Sequence, residues 1–135
     1  MGQVEKRLKD LEALKHGWFD GTSGEVLPAH GLEWLRDTIL GLMVETRVPK
    51  PRLYPCLDGS VEAEWSFGAW EVSATIDLLT RQAILHAANM DSLEEQDKHV
   101  SLEDVRDFCD FIQKYQALPV LHRDAIRPID RKSVV

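Results

Sequence analysis

No run of apolar residues in this sequence approaches the ~20 that a membrane-spanning helix needs. The opening stretch, MGQVEKRLKDLEALKH, is charged throughout and lacks the apolar centre of a secretory signal. That reading excludes membrane partners and places the chain in the cytoplasm. Gly2 stands where a myristoylated glycine would, but Lys6 occupies the position that needs Ser or Thr. Cysteine is scarce: Cys56 and Cys109 are isolated, with no Cys-x-x-Cys and no zinc-type spacing. Both read as reduced, buried thiols, Cys109 on the apolar stripe of a helix. The 8 glycines are scattered and form neither a phosphate-cradling loop nor a dinucleotide fingerprint. His30 and Glu33 share a helical spacing usable by a metal, but no second pair joins them. His16, His99 and His122 lie in unrelated places, so no metal and no cofactor is expected. Cationic charge is also short: 16 Lys and Arg face 23 Asp and Glu, for a net charge of −7. Nucleic-acid binding needs clustered Lys and Arg. The basic stretch Arg123, Arg127, Arg131 and Lys132 is interrupted by Asp124 and Asp130 and reads as a solvated tail.

What is present suits one domain with its own core: 135 residues, 44% apolar and 29% charged. Val4, Leu8, Leu11 and Leu14 recur at helical steps and predict a helix over about 3–16. A Gly-rich loop, GWFDGTSGEVLP, follows. Leu32, Leu35, Ile39, Leu42 and Met43 predict a second helix over about 29–47, with Pro28 at its start and Pro49 and Pro51 beyond its end. The period then changes to two. Strands are predicted at about 52–57, 60–66, 69–77 and 82–88, with a polar connection from Asp91 to Val100. Leu102, Val105, Phe108, Cys109, Ile112 and Tyr115 predict a third helix over about 102–117, opened by a capping box at Ser101 and Asp104 and closed by Pro119. The expectation is an α+β domain over 1–120, a four-stranded antiparallel meander with the helices on its apolar face, and a loosely ordered tail over 121–135.

Parity constrains the pairing. Val61, Ala63 and Trp65 must face the same core as Val72, Ala74 and Ile76, so opposed residues sum to an odd number. A two-residue loop at Phe67-Gly68 would oppose Trp65 to Trp70 and Glu64 to Glu71, and the row across the sheet would read Glu62, Ser73, His86. Asp58-Gly59 reads as a tight two-residue turn that turns Tyr54 and Cys56 inward and makes the Pro55 strand an edge. The row has the residue types of an acid, nucleophile and base. It lacks a nucleophile elbow and oxyanion donors, and the serine sits between the other two on a flat strand. It reads first as solvated surface. Glu64 and Glu71 read the same way, or as a face for a basic partner. Trp18 reads as an anchor of its loop, with Asp20-Gly21 making the turn, or as an exposed contact.

The stretches "GWFDG", "YPCLDGSVEAEW" and "WEVSATIDLLTRQAILHAANM" resemble a family of small uncharacterised bacterial proteins. Their pattern is G-W-x-D-G, then P-x-x-D-G-x-x-x-x-E-W, then W-E-x-S-x-x-I-D and H-A-x-N. Trp18, Asp20, Gly21, Asp58, Gly59, Glu64, Trp65, Trp70, Glu71, Ser73, Asp77, His86 and Asn89 match; Glu62 does not. No activity comes with the resemblance, so it implies positions of emphasis and no catalytic role. The leading expectation is a non-enzymatic interaction module, binding a protein partner or a second copy through its sheet face or edge. The alternatives are a small-molecule sensor closed by Trp18, or a small enzyme using Glu64, Glu71 and His86. The candidate binding residues are Trp18, Asp20, Glu64, Glu71, Ser73 and His86.

Overall fold

Apolar side chains at helical and alternating spacings meet in one core, and their spacing decides the elements. In the computed structural model, which describes residues 2–126 and side chains through Leu118, three helices and five strands follow in order. They are α1 (Gln3–Glu12), α2 (Ala29–Glu45), β1 (Arg52–Pro55), β2 (Val61–Phe67), β3 (Trp70–Ile76), β4 (Gln82–Asn89), β5 (Glu95–Ser101) and α3 (Arg106–Ile126). The strands form one antiparallel sheet in chain order, β1 to β5. Val4, Leu8 and Leu11 of α1, Leu32, Leu35 and Ile39 of α2, and Phe108, Ile112 and Tyr115 of α3 join the inward residues of the sheet in a single core. The fold is α+β with an antiparallel sheet, and no helix of the described residues is long and apolar enough to cross a membrane.

The expected alternation of β2, β3 and β4 holds: Val61, Ala63, Trp65, Val72, Ala74, Ile76, Ala83, Leu85 and Ala87 are all buried. The β2–β3 register is displaced by two residues from the expected one. The loop is Gly68-Ala69, so Phe67 opposes Trp70, Trp65 opposes Val72 and Glu64 opposes Ser73. Gly68 at φ 60 supplies the positive φ that a II′ loop needs at its first position. The expected loop would have put that strain on Phe67.

At the β1–β2 turn the parity itself changes. Gly59 donates to the Cys56 carbonyl at 3.0 Å, Cys56 donates to the Ser60 carbonyl at 2.9 Å, and Gly59 sits at φ 88. This is a turn followed by a left-handed residue and a bulge, longer by one than the tight turn. Leu53 is therefore the inward residue, and Tyr54 points out, 42% exposed. Cys56 lies in the turn, half-buried, rather than inside, while Cys109 is buried as expected. β1 is an edge, as Pro55 requires.

The largest correction is β5, expected as a polar connection. Val100 is its one buried residue. The helices also shift. α1 stops at Glu12 because Gly17, at φ 80, is engaged in closing the next loop through Gly24. α2 ends at Glu45, where Arg47 takes a left-handed φ of 60 and Gln113 caps the Thr46 carbonyl at 2.5 Å. α3 starts at Arg106, whose N–H is accepted by Asp104 at 3.1 Å, because Ser101 belongs to β5. It continues past Pro119 to Ile126, a proline removing one donor without ending the helix. The tail expected over 121–135 thus begins as helix, and residues 127–135 lie outside the described residues.

Gly31 of α2 packs against the β3–β4 loop: an added Cβ would lie 2.6 Å from Leu78 Cβ and 3.1 Å from its carbonyl oxygen. Gly31→Ala should destabilise the fold by about 1–3 kcal/mol through overpacking. Gly41→Ala, on the same helix with nothing within 4 Å, should stabilise it by up to about 1 kcal/mol. Urea unfolding of both variants checks this, and the opposite order would contradict the packing of α2 on that loop.

Candidate functional site: the open sheet face and its edges

The residues that alternate with the core positions line a second face on which no described element packs. Three cross-strand rows run over it. One is Arg52–Glu64–Ser73–His86–Asp97, one is Tyr54–Glu62–Thr75–Ile84–His99, and one is Ser66–Glu71–Ala88–Glu95. Ser73 opposes His86 as expected. Glu64, not Glu62, is the acidic neighbour of Ser73, and the direct Glu64–Glu71 opposition does not form.

Arg52 organises the acidic side. Its Nη2 lies 3.5 Å from Glu64 Oε1 and 3.6 Å from Glu71 Oε1, and it donates to Ser66 Oγ at 3.1 Å. Ser66 Oγ in turn donates to Glu71 Oε1 at 2.9 Å. Among the described residues, Glu62 has no such cation. Two residues before Glu64 on one strand, it shares the same face and the space beside it. A hydrogen bond with the Glu64 carboxylate, then partial burial, then repulsion from that charge, push the Glu62 carboxyl up to about 7. Glu62 therefore holds its proton to higher pH than an ordinary carboxyl.

His86 turns to β5. Its Nδ1 meets Asp97 Oδ1 and its Nε2 lies 3.3 Å from Glu95 Oε1. Both ring nitrogens are thereby engaged, and no hydrogen bond joins His86 or Glu64 to Ser73 Oγ among the described residues. The residue types of a nucleophile–base set share a row without its connectivity.

Trp18 and Asp20 lie apart from this face, in the loop before α2. The Trp18 indole donates to the Glu25 carbonyl at 2.9 Å and covers Gly24, where a Cβ would come within 2.7 Å of the ring. Asp20 Oδ1 accepts the N–H groups of Thr22 at 2.9 Å and Ser23 at 2.6 Å, and these bonds hold its carboxyl below the usual range. Asp58 bonds Ser60, Asp77 bonds Leu79 and Thr80, and Asn89 bonds Asp91 and Ser92 in the same manner. All four are turn-forming side chains.

The two edges of the sheet differ. In an antiparallel ladder, every second residue bonds to its neighbour strand and the others point away. The bond from Cys56 N–H to Ser60 O fixes that phase for β1, so the backbone groups of Leu53 and Pro55 point away from β2, in the plane of the sheet. Arg7 of α1 donates to the Leu53 carbonyl at 2.8 Å, and Pro55 has no N–H to offer. For β5, the bonds from Asn89 N–H to Glu94 O and from Leu102 N–H to Arg81 O place Gln96, Lys98 and Val100 toward β4. Glu95, Asp97 and His99 therefore aim N–H and C=O outward, and none of these groups has a partner among the described residues. Tyr115 closes the helix side of the strand, donating to Gln96 Oε1 at 2.5 Å.

These β5 residues escape a reading of the sequence because the strand is polar on both sides. The sequence offers one slight signal, an Asx residue at Asn89 as at Asp77, and in the structure the turns Asn89–Leu93 and Asp77–Arg81 are alike. Both have an Asx side chain bonded to the turn, a fourth loop residue at positive φ, and an N–H from that residue back to the first carbonyl. Comparison of the chain with family models, with curated proteins and with solved structures gives no match.

The raised Glu62 carboxyl has a pH signature. Its folded value of about 7 lies above the ordinary 4.5, so the folded chain holds the proton more tightly and stability falls as pH rises through that window. Glu62→Gln should match the native chain near pH 4 and exceed it near pH 8 by up to about 1 kcal/mol, solvent screening the pair. Urea unfolding at both pH values checks this; a stability difference that is the same at both would contradict the raised Glu62 carboxyl.

Proposed function

We propose that the protein is a non-enzymatic interaction module that takes an extended segment of a protein partner onto the open β5 edge. The supporting observation is the asymmetry of the sheet. On the β1 edge one of the two outward carbonyls, that of Leu53, is engaged by Arg7, and Pro55 stands where a second donor would be. The β5 edge leaves the N–H and C=O groups of Glu95, Asp97 and His99 directed at solvent. Strand addition uses such groups for affinity and alternate side chains for specificity. The carboxylates of the adjoining face, of which Glu71, Glu95 and Asp97 lie nearest, favour basic side chains on that side of the partner. The proposed setting is the cytoplasm, which suits two unpaired cysteines. The resemblance to the small bacterial family stays part of this reading. Its matching positions Asp20, Asp58, Asp77 and Asn89 hold turns, which fits positions of emphasis without an activity.

Asp97→Pro removes an outward donor and leaves the β4–β5 bonds in place, since Asp97 does not donate to β4. A photo-crosslinking residue at position 99 in cells of the native host should give adducts that map to one segment of a partner. Asp97→Pro, with its fold verified by circular dichroism, should abolish them. Adducts that persist in that variant, or none from the native chain, would contradict strand addition.

A further inference from the structure

Lys98 is the unusual residue of β5. It opposes Leu85 and so lies on the helix side of the sheet, where its neighbours across the strands are apolar. No ion pair or hydrogen bond engages its ammonium among the described residues. Beside it runs a groove between the strand edge and α3, lined by Gln96, Asp97, Lys98, Asp110, Phe111 and Lys114. Lys114 is turned to Gln96 Oε1 at 3.2 Å and lies over the Tyr115 ring, 5.2 Å from its centroid. An inward-pointing charge at an edge is a device that hinders indiscriminate strand pairing.

Its consequences for different occupants follow from parity. A second copy adding antiparallel to β5 about a two-fold axis must oppose residues of the same face, so one residue opposes itself. Centring on Lys98 sets two ammoniums together on the helix side. Centring on Asp97 sets two carboxylates together on the open face. Centring on His99 or Val100 sets Lys98 against an apolar side chain, Val100 or Leu102, and centring on Gln96 sets Lys98 against Glu94 but Glu95 against Asp97 on the open face. A different segment escapes these conflicts if it carries a carboxylate opposite Lys98 and basic side chains opposite Asp97 and Glu95.

We infer that Lys98 selects the occupant of this edge: it admits a partner segment that alternates basic side chains on the open face with an acidic one on the helix side, and it turns away a second copy of the chain. The inference rests on the reading of β5 as a docking edge.

The probe is the synthetic peptide Thr-Val-Glu-Glu-Lys-Thr-Lys, which lies antiparallel to β5 with its second glutamate opposite Lys98. The control peptide has lysine at that place. Binding to the full chain is followed by fluorescence anisotropy and by exchange of the Asp97 and His99 amides. The glutamate peptide should bind about fivefold more tightly, the scale of an exposed charge pair, and slow both amides; Lys98→Glu should reverse the preference. Equal binding of the two peptides would overturn the role of Lys98 while leaving the docking edge intact. Failure of both peptides, with no change in amide exchange, would overturn the docking edge as well. In light scattering, Lys98→Val should dimerise at concentrations where the native chain is monomeric. A native chain that already dimerises through β5 would overturn the exclusion of a second copy.

Discussion

One face of the sheet is buried under helices and the other is open, so a one-residue slip at any turn would exchange core for solvent. The whole molecule depends on turns that hold parity. Gly59 adds one residue between β1 and β2 and thereby buries Leu53 instead of Tyr54. Gly68 makes a two-residue loop that brings Phe67 beside Trp70. Asp77 and Asn89 each close a four-residue loop through their own side-chain oxygen. With these fixed, the inward residues of neighbouring strands meet α3, where Trp65 packs edge-on to Phe108 and Trp70 lies over Tyr115.

The chemistry of the open face is a consequence of the same alternation. Carboxylates gather there because the core excludes them. Arg52 balances Glu64 and Glu71, Glu62 holds its proton to higher pH, and His86 joins Glu95 and Asp97. These contacts pair the acidic residues with cations, with hydroxyl groups and with one another. Among the described residues, the outward backbone groups of Glu95, Asp97 and His99 have no partner, and they run beside both a carboxylate-rich face and an inward lysine.

Alternation made β2, β3 and β4 legible, including the inward sets and the opposition of Ser73 to His86. It could not show the length of a turn. The β2–β3 register therefore slid by two, and β1 was turned over by the bulge at Gly59. β5 left no alternation to read: Gln96 and Lys98 occupy inward positions, and only Val100 reports the core. Its turn was signalled only by an Asx residue at Asn89, and an Asx side chain signals a turn without saying that a strand follows. The site was legible only in part for the same reason. The partners of His86 lie on the strand that the pattern concealed, and Glu62 acquired its neighbour from its own strand rather than from across the sheet.

The phase of β5 is the central claim, since the open edge, the role of Lys98 and the proposed function all follow from it. Amide hydrogen exchange of the full chain, resolved residue by residue by NMR, tests it most directly. The amides of Gln96, Lys98 and Val100 should be protected by their bonds to β4, and those of Glu95, Asp97 and His99 should exchange fast. Uniform protection along β5, or protection of Asp97 and His99 with fast exchange at Lys98, would contradict the account.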